Sequence, residues 1–472
     1  MAGGLAVLLG AGLMSSAGPL GVAQAAARTT SACAATDGPT GPGGSSGPTT
    51  ISTLGQAYDC IFANYYGGSV LDDRTVLVSA FAAFTQELQR RGIDQATATL
   101  PALTGDRASD WTAFSETYDK VVGALPDNAD LRQALAAAVM QGMISSLHDN
   151  HVGWIKGQRT NPLPPGKAFG LGIATLFTGR SPAEISGDNV QEPMYVSAVA
   201  PGSPAAKAKV RPGDVIVAID GVPAFVKGTF NAGIMALLHT AYPQADTLRL
   251  TLRRPATGRT RLVGLRPALY PMSATQPSVT LDGNVAKVVL PQFAPELADT
   301  VLQDLTNLGK STKLRGVVFD LRGNGGGRAE AVAKLLGAFV HGKVWSSDCD
   351  LKGNCTPNRT DDSTPLLNLP LVLITDSMCA SACDAFSAAV KDLELGKLVG
   401  GRTAGIVAGL PVAYQLDDGS SLLLMPRHQV AAKGEIIDGV GVAVDYQAPL
   451  TAEALSAGHD PGMDKALALL KS

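Results

Sequence analysis

The sequence predicts an α/β core, an all-helical segment ahead of it, and a small β-rich module between the two. Three patterns carry that expectation. Residues 275–450 alternate apolar strands with amphipathic helices, as in a parallel sheet with helices on its faces. Residues 51–160 contain four stretches of helix-compatible apolar spacing. Residues 168–268 break into short alternating strands between Gly and Pro turns. A chain of 472 residues is long enough for two or three such units.

Residues 1–27 are apolar, then small, and contain Ala23-Gln-Ala25 and Ala25-Ala-Ala27. They read as a secretory signal cleaved near 25–27, without the usual basic start. Gly and Ser interrupt the run well short of a span of about 20 residues, which argues against a stable membrane anchor. Thr30-Ser-Ala32 before Cys33 is not a lipid-attachment sequence. A Gly/Pro/Ser/Thr-rich linker follows, and 28–50 is expected to lack regular structure.

The helical domain is placed at 51–165, with helices at 53–65, 73–91, 107–125 and 131–147. The last is expected to open on Asp127 or Asp130 as its cap. It ends in Leu147-His-Asp-Asn-His151. The α/β core, 275–472, should hold strands at 285–290, 317–321, 371–374 and 398–400. Its helices are expected at 296–309, 329–339 and 383–393.

Charge excludes two classes of partner. The chain has 38 basic and 41 acidic residues, net −3, and no basic run. Nucleic acid and an anionic membrane surface are therefore not expected partners. The six cysteines suit an oxidising compartment and disulfides. Cys349 with Cys355 closes a short polar loop, Cys33 can reach Cys60, and Cys379 and Cys383 bracket Ser381. That last pair is either a bridge or two small buried thiols. No C-x2-C pattern is present, so no metal site is expected from the cysteines.

Two stretches carry chemistry. In 371–384 an apolar strand runs into very small residues and then a helix, which places Ser381 at a strand-to-helix turn. A hydroxyl can stand exposed there, with free N–H groups of the helix start facing a developing oxyanion. In Gly316-Val-Val-Phe-Asp-Leu-Arg-Gly-Asn-Gly-Gly-Gly327 a buried strand ends in a glycine cluster that presents backbone N–H groups. No Gly-Lys-Ser/Thr follows, and the spacing misses Gly-x-Gly-x-x-Gly, which argues against nucleotide binding.

Together these stretches resemble the C-terminal processing (tail-specific) protease family and its tricorn-like relatives. Asp320-Leu-Arg-Gly-Asn-Gly-Gly-Gly327 is similar to the family's Asp-Leu-Arg-x-Asn-x-Gly-Gly. Ala380-Ser-Ala-Cys-Asp384 is similar to Ala-Ser-Ala-Ser-Glu, whose first serine is the nucleophile and falls on Ser381. Leu398-Val-Gly-Gly-Arg-Thr-Ala-Gly405 resembles Val-Gly-x-x-Thr-Phe-Gly. The resemblance implies a ClpP/crotonase-like layered core and serine-type endopeptidase activity on peptides or unstructured protein, without a cofactor.

Ser/Lys members of the family place their general-base lysine directly after that last glycine, where this chain has Ile406. Lys391, Lys397 and Lys433 lack the required placement. A histidine must activate Ser381, or the site is a dead scaffold that binds a peptide or a hydrophobic ligand. His239 lies in the β-rich module, His459 in the tail and His341 after a core helix. Leu147-His-Asp-Asn-His151 resembles the family's Leu-x-Asp-x-His-Thr, which makes His151 the candidate base and leaves His428 in reserve. His148 and His151 suggest a metal pair only weakly, since no third ligand is evident.

Gly434-Glu-Ile-Ile-Asp-Gly-Val-Gly-Val442 resembles the family's Glu-x-x-Gly-Val segment and puts the supporting acid on Asp438. Glu435 and Asp392 are the alternatives. The expected oxyanion donors are the N–H groups of Ala382 and Gly326, or Gly325. The module at 168–268 resembles a PDZ domain through Tyr195–Ala205 and Val210–Gly221. Gly170, Leu171, Gly172 and Ile173 would receive a peptide's terminal carboxylate while the peptide adds as a strand. The substrate and the oligomeric state are left open.

Overall fold

The computed structural model describes residues 33–36, 47–149, 151–157, 163–178, 191–231, 233–238, 242–243, 246–272, 276–350, 352–407, 409 and 411–471. The expected signal at 1–27, most of the 28–50 linker, and His239 lie outside them.

Four helices open the described fold: α1 (Ile51–Asn64), α2 (Asp73–Arg90), α3 (Arg107–Gly123) and α4 (Ala129–Ser145). Thr50, Asp72, Asp106 and Asn128 cap them, each side chain accepting a first-turn N–H. The cap of α4 is thus Asn128, not Asp127 or Asp130. The helix starts at Ala129, so only residue 128 is the extended residue directly ahead of it, and its Oδ1 accepts from Leu131 N at 3.0 Å. Leu54, Tyr58, Leu77, Phe84, Phe114 and Leu135 form one apolar core with Leu422 and Leu424. The last two come from a four-stranded sheet in the order Ala34–Thr36, Val412–Gln415, Ser421–Leu424, Gly153–Ile155. Cys33 and Cys60 bridge that sheet to α1. The turn between α4 and Gly153–Ile155 is thereby held against strands belonging to the C-terminal half.

A second core surrounds Phe177, Val196, Ile216, Ile219, Leu250 and Leu252. Its strands run Thr260–Leu265, Leu248–Arg253, Val215–Ile219, Gln191–Val199, Ile173–Thr178 in spatial order, which leaves Ile173–Thr178 on the sheet edge.

The third core contains the sheet that carries the chemistry. In spatial order its strands are β1 (Ser278–Asp282), β2 (Val285–Val289), β3 (Gly316–Asp320), β4 (Leu371–Thr375), β5 (Gly396–Gly400) and β6 (Tyr446–Gln447). β1 is antiparallel to β2, and every other neighbouring pair is parallel. Helices α5 (Pro295–Ser311), α6 (Ala329–Gly337) and α7 (Ala382–Asp392) share a core with Val317, Phe319, Leu371 and Leu373. The opposite side chains, Val318, Val372 and Ile374, meet Leu467 and Leu470 of a C-terminal helix at Pro461–Lys471. Both faces are covered, which explains the uninterrupted apolar runs of β3 and β4. The short helix Ala452–Ala457 joins the β-rich module to this sheet: Ala452 packs with Leu176, Tyr195 and Val215. Nearby, the Tyr195 hydroxyl donates to Leu450 O at 2.6 Å.

Arg322 anchors the chain as it leaves β3. Its guanidinium donates to both oxygens of Asp320 and of Asp460, and its side chain is 14 % exposed. Arg322→Met leaves two carboxylates facing each other without a cation. Because Asp460 is partly solvated, we expect a loss of about 2–3 kcal/mol, below the range for a fully dry pair. Thermal unfolding should show a lowered midpoint, partly restored by adding Asp460→Asn.

Candidate active site

Ser381 stands between β4 and α7 with φ 57° and ψ −119°, a conformation that a non-glycine residue adopts only when its surroundings impose it. Three constraints do so. The Ser381 N–H donates to Ile406 O at 2.7 Å and to Asp384 Oδ2 at 3.0 Å. Cys379 and Cys383 are bridged across the turn, and both are fully buried. The glycine loop presses from below, where a Cβ on Gly326 would sit 2.6 Å from Ser381 Cβ and 2.6 Å from Ala380 O.

Asp384 is the hub of this arrangement. It is fully buried, yet its carboxylate also accepts from Gly405 N at 2.9 Å and Ile406 N at 3.0 Å. Burial pushes its carboxyl up, opposed by the Thr403 side chain and those three N–H groups. One acid therefore holds the nucleophile turn to the 403–406 loop. The sequence carried the signal in the last residue of Ala380-Ser-Ala-Cys-Asp384, but its role was not read from it.

The glycine loop is tied in by Asn324, also fully buried. Its Nδ2 donates to Leu290 O, its O accepts from Ala380 N, and its Oδ1 accepts from Gly326 N at 2.8 Å. That last bond corrects the expected oxyanion donors, because the Gly326 N–H is already engaged. The N–H groups of Ala382 and Gly325 make no hydrogen bond to another described residue.

His151 belongs to the turn that follows α4. Its ring Nδ1 lies 3.1 Å from Asp149 Oδ1, and the same oxygen accepts the His151 backbone N–H at 2.9 Å. Asp149 was not among the sequence candidates for the supporting acid, although it stands in Leu147-His-Asp-Asn-His151. A carboxylate in this position fixes the imidazole tautomer with the proton on Nδ1 and frees Nε2 to accept. That Nε2 is buried and has no hydrogen-bond partner, so Ser381 and His151 are not in hydrogen-bond contact in this structure.

The two segments meet through Ile406 and Val407. Ile406 bonds the nucleophile turn, and Val407 N donates to Asp438 Oδ1 at 3.0 Å. A carboxylate oxygen of Asp438, one of Asp149 and a ring nitrogen of His151 all lie within 4.8 Å of one another. Burial pushes the Asp438 carboxyl up. Tyr66 packs at a tilt against His428, with ring centroids 4.9 Å apart. Asp392 accepts from Lys433 N, and burial together with the nearby Glu435 pushes its carboxyl up. It stands eleven residues along α7 from Ser381, about 16 Å along the helix axis. His341 is held by Thr364 O, and His459 pairs with Asp464 on the surface.

In the β-rich module, Gly170 (φ 138°) and Gly172 (φ 73°) flank the buried Leu171 at the head of the edge strand. A Cβ on Gly172 would sit 2.1 Å from Ser203 Cβ, so glycine is required there.

Residues 284–448 match peptidase family S41, and 195–232 match the PDZ domain. The chain is 27 % identical to the chloroplastic C-terminal processing peptidase of Tetradesmus obliquus over 71 % of its own length and 72 % of that protein's. It is 25 % identical to the carboxy-terminal processing protease CtpA of Bacillus subtilis, over 79 % and 76 % of the two chains. The chain carries a peptidase family S41 domain, and the relatives it resembles over most of its length are C-terminal processing proteases. It is a serine-type peptidase with a PDZ domain. The fold agrees with a photosystem II D1 C-terminal processing protease (TM-score 0.54, 22 % identity, covering 89 % of this chain and 97 % of that one). It also agrees with mature CPAF (TM-score 0.52, 14 % identity, covering 89 % and 96 %).

In this protease the acceptor geometry of Asp384 matters more than its volume. Asp384→Asn turns one acceptor into a donor facing N–H groups, which should destabilise the fold by about 2–4 kcal/mol. Peptidase activity should fall more steeply than the folded fraction, because Ser381 loses its imposed conformation. Thermal unfolding and peptide hydrolysis measured on the same sample check this.

Proposed function

We propose that the protein is a secreted or periplasmic serine endopeptidase in which Ser381 is the nucleophile and His151 the general base. The observation that carries the reading is the N-terminus of α7, where Ser381 is forced into a positive-φ turn with the Ala382 N–H unengaged beside it. Ser381 Oγ attacks the scissile carbonyl and gives its proton to His151 Nε2. Asp149 and Asp438 stabilise the imidazolium, Asp149 by a direct hydrogen bond. The N–H groups of Ala382 and Gly325 receive the oxyanion. His151 then protonates the leaving amine, and water hydrolyses the acyl-enzyme. No cofactor takes part in this scheme. Catalysis requires His151 and Ser381 to close into contact when substrate binds, as apo catalytic hydrogen bonds often do.

Ile406 occupies the position of the base in Ser/Lys relatives. An isoleucine has no proton to exchange, and Asp149 with His151 supplies the missing function from the helical domain. The three disulfides, Cys33–Cys60, Cys349–Cys355 and Cys379–Cys383, support an extracytoplasmic site of action. No helix among the described residues is long and apolar enough to cross a membrane.

The Gly170–Leu171–Gly172–Ile173 turn and the open edge of Ile173–Thr178 fit capture of a chain terminus: backbone N–H groups take the carboxylate, and the peptide adds as a strand. The substrates in this reading are peptides or unstructured proteins, recognised by their C-terminal tails.

Fluorophosphonate should label the wild type on Ser381 and fail with Ser381→Ala. His151→Ala should lower kcat by about 10²–10⁴-fold. Hydrolysis at the wild-type rate by His151→Ala would rule out His151 as the base.

Amidating the C-terminus of an unstructured substrate should raise KM several-fold while leaving hydrolysis of a short peptide ester unchanged. Equal cleavage of free-acid and amidated substrates would remove the case for tail capture.

A further inference from the structure

Asp149, His151 and Asp438 form a group whose donor set exceeds what a catalytic histidine needs. The Asp149 side chain is 2 % exposed; the Tyr65 hydroxyl stands near its carboxylate, but Oδ2 has no partner at hydrogen-bond distance and angle. A buried carboxylate oxygen left without a donor costs about 1–3 kcal/mol. Asp438 brings a second carboxylate to the same place. Two acids and an imidazole thus converge within 4.8 Å, with an unsatisfied acceptor and like-charge repulsion that a cation would relieve.

The chemistry of the donors selects the cation. Calcium and magnesium take six or more oxygens and gain nothing from an imidazole. Zinc takes nitrogen and carboxylate oxygen together, commonly from three side chains, with the fourth position open to water. Donor atoms around a tetrahedral zinc stand about 3.4 Å apart. His151 Nδ1 and Asp149 Oδ1 are already 3.1 Å apart, and a carboxylate oxygen of Asp438 lies within 4.8 Å of ligand atoms of both residues. Asp438 Oδ1 also accepts from Val407 N at 3.0 Å.

We propose that Asp149, His151 and Asp438 bind a zinc-like divalent ion that reversibly switches the peptidase off. The ion takes the place of the hydrogen between Nδ1 and Asp149. The single proton of the neutral imidazole then resides on Nε2, which becomes a donor and cannot accept a proton from Ser381. If the imidazole is doubly protonated beforehand, one proton is released to solvent. Removing the ion restores the Nδ1–H···Asp149 bond and the free Nε2 lone pair. The inhibitory half rests on His151 being the base; the binding half does not.

The test separates the two. Isothermal titration of Ser381→Ala with zinc chloride reads binding without catalysis. We expect one site of micromolar affinity or better, and no comparable heat with magnesium or calcium. Adding Asp438→Asn, which keeps an oxygen for Val407 N, should weaken that site by at least about tenfold. Asp149→Asn, checked for folding by circular dichroism, should do the same. In the wild type, zinc should abolish peptide hydrolysis, and a chelator should restore it. The absence of a zinc site in Ser381→Ala, or a site unchanged by both Asn variants, would overturn the proposal. Zinc binding that the Asn variants weaken, with wild-type hydrolysis unaffected, would keep the ion site but overturn both its inhibitory role and the reading of His151 as base.

Discussion

The buried carboxylate of Asp384 is the interaction on which the reactive centre depends. Taking a carboxylate fully out of water is costly, and Asp384 offsets that cost by accepting from the Thr403 side chain and from the N–H groups of Ser381, Gly405 and Ile406. These bonds tie the Ser381 turn to the 403–406 loop. The positive φ of Ser381 follows, because the turn must place its N–H between Asp384 and Ile406 O while α7 begins at the next residue. The Cys379–Cys383 bridge and the glycine loop then close the remaining directions in which the turn could relax.

This anchoring also bears on why the proposed base, His151, comes from a distant part of the chain. Val407 continues the clamped loop and fixes Asp438, and Asp438 stands beside His151, which α4 delivers through a short turn. The four-stranded sheet that joins Gly153–Ile155 to Ser421–Leu424 holds that turn against the C-terminal half. A lysine after Gly405 would act from the clamped loop itself. With Ile406 there, the proposed proton transfer passes to His151 on a different structural unit, and its contact with Ser381 is open in this structure.

Much of this was legible in the sequence. The apolar runs of β3 and β4, the glycine loop and the small residues around Ser381 are local patterns, and they placed the sheet and the turn that carries Ser381. The proposal of His151 as base rests on its motif. What escaped was set by hydrogen bonds between residues far apart in the chain. Asp384 looked like one more residue of a helix start, and its partners lie about twenty positions downstream. Asp149 was passed over in favour of Asp438, because nothing in the order of residues says which acid meets Nδ1. Gly326 looked like a free donor until Asn324 Oδ1 was seen to occupy it. Helix starts failed in the same way on a smaller scale, with Asn128 capping α4 between two equally plausible aspartates.

A peptide boronic acid bound to the protein and visualised by crystallography tests the central assignment most directly. The account predicts a covalent bond from boron to Ser381 Oγ. One boronate oxygen should face the N–H groups of Ala382 and Gly325, and His151 Nε2 should lie within hydrogen-bond distance of the adduct, with Asp149 still on Nδ1. An adduct on Ser381 that leaves His151 remote, or an oxyanion held by other groups, would contradict it.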